Sequence, residues 1–100
     1  MRIYFERTGG FAGLSLKATL ESDSIAPAAL QELRELLMSS GFFDLPICLE
    51  SGEPGADRFQ YRLTVEEEGR AHTVRAGDAA APDSLRPLLD WLTAAARARR

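Results

Sequence analysis

"RFQYRLTVEEEGRAHTVRA", Arg58 to Ala76, is the stretch that decides the fold. Phe59, Tyr61, Leu63 and Val65 alternate with Gln60, Arg62, Thr64 and Glu66. That period of two sorts into one apolar and one polar face only on an extended strand. "EEEG", Glu66 to Gly69, then turns the chain, with Gly69 available for a positive φ. A shorter strand from Arg70 to about Ala76 completes a hairpin with one face for a core.

Upstream the same pattern recurs. Ile3 and Phe5 alternate with Arg2, Tyr4 and Glu6, and Leu14, Leu16, Ala18 and Leu20 alternate with Ser15, Lys17 and Thr19. "GGFAG", Gly9 to Gly13, joins these two runs as a second hairpin. Each hairpin is followed by a helical pattern. In the first, Leu30, Leu33, Leu36 and Leu37 recur at helical spacing, Pro27 suits the first helical position, and Gly41 ends the helix. In the second, Leu85, Leu88, Leu89, Leu92 and Ala96 form a stripe with Trp91 at its edge. Pro87 limits where that helix begins: with Ser84 as N-cap it falls in the first turn, where its missing N–H is tolerated. The expected fold is α+β. A four-stranded antiparallel sheet carries two helices packed on one face, in the order strand-strand-helix-strand-strand-helix, and leaves its other face to solvent.

Between the first helix and the long hairpin lies "FFDLPICLESGEPGADR", Phe42 to Arg58. Phe42, Phe43, Leu45 and Ile47 are expected to anchor its first part to the core, while Ser51 to Asp57 reads as an exposed loop. A long loop in a small domain is a place to look for function.

Composition removes whole classes of function. One hundred residues, 45% hydrophobic and 27% charged, fill a single core, so residues 1–100 read as one domain. The formal net charge is −3 with acids and bases intermixed, so no footprint for nucleic acid or an anionic membrane is visible. The one basic run, "ARARR" from Ala96 to Arg100, complements the C-terminus of the second helix. A single cysteine, Cys48, makes no internal disulfide. No stretch approaches the ~20 apolar residues that span a bilayer. The chain is expected to be soluble, cytoplasmic and monomeric.

The catalytic inventory is poor. His72 is the only histidine; it shares a strand face with Val74 and reads as a partly buried ring with one satisfied nitrogen rather than a base. A zinc site needs three or four ligands, and neither H-E-x-x-H nor a paired C-x-x-C is present, so no metal and no cofactor is expected. Cys48, between Ile47 and Leu49, reads as an inert, buried thiol, and a Cys48–His72 dyad is the one enzymatic arrangement left open. "GGFAG" lies between two strands, where phosphate-cradling loops open a helix, so no nucleotide site is indicated.

What remains is a module that works by contact, and here the chain resembles a known family. "GGFAG" (Gly9 to Gly13), "SGFFDLP" (Ser40 to Pro46), "PGADRFQYRLTVEEEGRAHTVR" (Pro54 to Arg75) and "LRPLLDWL" (Leu85 to Leu92), in this order and spacing, are similar to the emfourin family. These are bacterial proteinaceous inhibitors of protealysin and related thermolysin-like zinc metallopeptidases. The resemblance runs along almost the whole chain. It implies a non-catalytic protein whose partner is such a protease. The alternative is a binding or regulatory module with an unrelated cytoplasmic partner.

The resemblance directs attention to the two glycine-containing loops. The expected protease-binding residues are Gly9, Gly10, Phe11, Ala12 and Gly13 in the first, and Glu53, Pro54, Gly55, Ala56 and Asp57 in the second. Thermolysin-like enzymes hold bulky apolar side chains in a pocket beside the zinc, and Phe11 on a thin, glycine-flanked hairpin could enter such a cleft. Burying one Phe contributes about 1.5–3 kcal/mol, so further contacts have to join it. Two other readings stay open: Phe11 folds back to close one end of the sheet near Trp91, and Asp57 serves only to bond its own backbone in a turn.

Overall fold

The computed structural model describes residues 1–9, 15–49 and 59–98. Its elements, in chain order, are β1 (Arg2–Gly9), β2 (Leu16–Glu21), α1 (Pro27–Ser40), β3 (Cys48–Leu49), β4 (Phe59–Glu67), β5 (Arg70–Gly77) and α2 (Arg86–Ala98). Short 3₁₀ turns follow β2 at Ser22–Ser24 and α1 at Phe42–Asp44.

The long hairpin forms as the alternation requires. Leu63 and Val65 of β4 and Val74 and Ala76 of β5 are buried, while Gln60, Arg62, Ala71 and Arg75 are exposed. The reversal uses two residues at positive φ, Glu68 at 50° and Gly69 at 80°, closed by the Glu67–Arg70 pair. Positive φ at both central residues is the mark of a type I′ turn, whose twist matches that of the strands it joins. Ile3 and Phe5 of β1 then face Leu20 and Ala18 of β2 on one side and Val65 and Leu63 of β4 on the other.

Both helices feed the same core from one side of the sheet. Leu33 and Leu37 of α1 and Leu88, Leu89, Leu92 and Ala96 of α2 are buried with the apolar strand residues. Pro27 opens α1 where its missing N–H costs no hydrogen bond, and Gly41, at φ 63°, caps it with an N–H to the Met38 carbonyl at 3.2 Å. In α2 the Leu85 carbonyl accepts the Leu89 N–H at 3.1 Å. The helix therefore begins at Arg86, one residue later than a Ser84 cap would set it, with Pro87 still in the first turn. The buried Ser40 and Thr93 hydroxyls donate to the Leu37 and Leu89 carbonyls, each at 2.8 Å.

The sheet itself corrects the expected architecture. Among the described residues it has five strands and is mixed, in the order β2-β1-β4-β5-β3, because Cys48 and Leu49 pair in parallel with Arg75 and Ala76 of β5. The Arg75 N–H donates to the Ile47 carbonyl at 2.7 Å and starts the pairing. Two residues carry too little alternation to read as a strand. Two burial expectations fall with it. Ile47 is 64% exposed rather than an anchor, and Cys48 is exposed rather than buried. Both lie where the chain runs out to a sheet edge, and only Leu49 turns back toward the core.

Candidate functional site

Of the ten residues expected to bind a protease, Gly9 is the one the structure describes. Gly10, Phe11, Ala12, Gly13, Glu53, Pro54, Gly55, Ala56 and Asp57 lie outside the described residues. What is described is the footing from which both segments arise.

That footing is one end of the sheet. β1 ends at Gly9 and β2 begins at Leu16, opposite Arg7. β4 begins at Phe59, opposite Gly9, and β5 ends at Gly77, opposite Gln60. Since β3 runs parallel to β5, its last residue, Leu49, lies at the same end, beside Ala76. The chain therefore leaves and re-enters the sheet at this end for both segments, 10–14 and 50–58.

Aromatic and backbone contacts hold this end together. The Arg7 guanidinium lies 4.4 Å from the centroid of the Phe59 ring, and Phe5 and Tyr61 meet at a tilt of 34° with centroids 6.1 Å apart. A cation over an aromatic face contributes about 0.5–1 kcal/mol where solvent reaches it. The Asp78 N–H donates to the Phe59 carbonyl at 3.1 Å, and Arg86 Nη2 donates to the Asp78 carbonyl at 2.8 Å. The start of β4 is thereby tied to the start of α2.

The residues singled out for catalysis are not brought together. His72 lies on the core side of β5 with Val74; its Nε2 donates to the Leu45 carbonyl at 2.8 Å, and its ring meets the buried Phe42 edge-on at 5.4 Å. Cys48 pairs with Arg75, whose side chain lies on the opposite, solvent face of β5. A dyad between the two is therefore not formed, and His72 is the satisfied histidine its position predicts. Among the described residues, no three His, Cys, Asp or Glu side chains gather in a way that could hold a metal ion. No described helix is long and apolar enough to cross a membrane.

The solvent face of the sheet is ordered in transverse rows that follow from the register. One row runs Thr19, Tyr4, Thr64, Thr73, and the last two hydroxyls hydrogen-bond at 2.8 Å. The next row toward the footing runs Lys17, Glu6, Arg62, Arg75. At the far end, the Tyr4 hydroxyl and the Glu21 carboxylate accept from Arg2 and raise its pKa still further above its ordinary value. Neither the Arg7–Phe59 contact nor the charged row enters the sequence reading. The signal for the row was present, since a two-residue turn at Glu68–Gly69 sets Arg62 opposite Arg75 by counting alone. Arg7 over Phe59 joins strands whose pairing carries no such short-range mark.

The family model for Emfourin matches residues 5–93 of the chain. No curated protein matches it, and no solved structure does.

Proposed function

The chain belongs to the Emfourin family, and from that premise we propose that it is a proteinaceous inhibitor of a thermolysin-like zinc metallopeptidase. In this reading the segments 10–14 and 50–58 engage the protease at its active-site cleft, with Phe11 in the pocket for bulky apolar side chains. The family match over residues 5–93 carries the proposal. The common footing of the two segments supports it, because a specific interface takes about 800 Å² from each partner and one apolar side chain cannot supply that alone. The protein needs no chemistry of its own for this task. It has to present a rigid surface that the protease binds and does not process.

Titrating purified protein into thermolysin and into protealysin, while following peptide cleavage, tests the proposal. Stoichiometric loss of activity is expected against at least one of the two. Full activity of both at micromolar inhibitor would sink it and favour a binding module with another partner.

A further inference from the structure

On the solvent face of the sheet, Arg62 and Arg75 stand directly opposite each other on neighbouring strands. Like charges in that relation repel and destabilise the sheet. The nearest acid in the row, Glu6, is already shared: its Oε2 takes Lys17 Nζ at 3.2 Å and its Oε1 takes Arg62 Nη2 at 3.8 Å. Arg75 is exposed and, among the described residues, makes no ion pair. Among the described residues, no stabilising contact accounts for a second arginine there.

The surroundings suit a ligand with acceptor oxygens. Arg62 and Arg75 share one shallow concave surface with Lys17 and with the carboxylates of Glu6 and Glu66, three cations against two acids, and the Thr64 and Thr73 hydroxyls border the guanidinium groups. A guanidinium fork matches a carboxylate with two parallel hydrogen bonds. The row also lies on the footing side of the Tyr4–Thr64–Thr73 row, toward the end of the sheet from which both candidate segments arise. We propose that the Arg62–Arg75 pair is a further contact surface for the protease and takes a carboxylate-bearing stretch of it beside the cleft. The proposal rests on the inhibitor reading above. On binding, the carboxylate relieves the repulsion that the free sheet carries, and at a distance it steers the encounter.

Stopped-flow association with whichever of thermolysin and protealysin the wild type inhibits, for wild type, Arg75→Gln and Arg75→Glu at low and high salt, tests it alongside thermal melting. Arg75→Gln is expected to slow association by about 3–10-fold at low salt, Arg75→Glu by more, with the difference shrinking at high salt. The melting temperature of Arg75→Gln should hold or rise, since a like-charge contact is removed. A residue with a purely structural role cannot give weaker association with equal or greater stability. Wild-type association rates in both variants, or losses that track a falling melting temperature, overturn the proposal. If the wild type leaves both proteases fully active, the inhibitor reading has failed, and a short polyglutamate peptide titrated into the labelled protein and followed by NMR then decides the face alone. Shifts centred on Arg62 and Arg75 that vanish in Arg75→Gln support a carboxylate-binding surface; absent or scattered shifts overturn it.

Discussion

Gly9, at φ 98°, stands directly opposite Phe59 in the β1–β4 ladder, so the last strand residue before one candidate loop is paired with the first strand residue after the other. Arg7, two residues before Gly9, covers the Phe59 ring. The two segments are thus joined through three residues at their base. Arg7→Ala and Phe59→Ala, measured singly and together by denaturant unfolding, should show a coupling of about 0.5–1 kcal/mol. Strict additivity would mean that the guanidinium merely rests on the ring.

Phe11→Ala separates the two readings of the first loop. A side chain that fills the protease pocket should lose about 2–4 kcal/mol of inhibition on truncation, the range of an interface hot spot, with hardly any change in melting temperature. A side chain that closes the sheet should lose stability instead, and inhibition only as far as folding fails. Inhibition constants and melting curves on one variant decide between them.

The fold was legible where periodicity was long. Nine residues of β4 and thirteen of α2 repeat their patterns often enough to be assigned, and Pro27 and Gly41 mark both ends of α1 by backbone chemistry. β3 was not legible: two residues show no period, and what makes them a strand is Arg75, nearly thirty positions away, donating to the Ile47 carbonyl. That same pairing turns Ile47 and Cys48 outward, against their apolar character. The candidate site divides in the same way. Loop composition singles out Gly9 to Gly13 and Glu53 to Asp57, but that both segments rise from one end of the sheet follows from strand order, which local pattern does not carry.

Leu33 in α1 and Leu63 in β4 face the core from opposite layers, at 0% and 2% exposure. Leu33→Ala and Leu63→Ala should each cost about 2–5 kcal/mol, the lost transfer energy plus the cavity left between helix and sheet. Chemical denaturation measures this. A wild-type midpoint in either variant would contradict the packing of that element.

Glu68 holds a left-handed conformation at φ 50° next to two further acids, Glu66 and Glu67. Asn visits this region more readily than Glu, and Asn-Gly is the favoured pair for a type I′ turn. Glu68→Asn should therefore stabilise the protein by about 0.5–1 kcal/mol without touching the solvent face of the sheet. Gly69→Ala, at φ 80° with open space around its Cβ, should destabilise it through backbone strain alone. Melting temperatures that move in opposite directions confirm the turn; movement in the same direction would refute it.

His72 bonds a carbonyl oxygen, which can only accept, so Nε2 carries a proton and the ring acts as a donor. It ties β5 to Leu45, in the stretch between α1 and β3, and packs against Phe42 beneath it. His72→Leu keeps the apolar packing but leaves the Leu45 carbonyl without its donor, which should cost about 1–3 kcal/mol of stability. His72→Gln retains an N–H and should cost less if it can reach. Both variants should inhibit at wild-type strength below their melting temperatures, because His72, opposite Val65, lies away from the footing of the candidate loops, and Cys48→Ser should do so because serine keeps the size of the thiol. A selective loss of inhibition in a folded His72 variant would instead draw the Leu45–Cys48 edge into the contact surface.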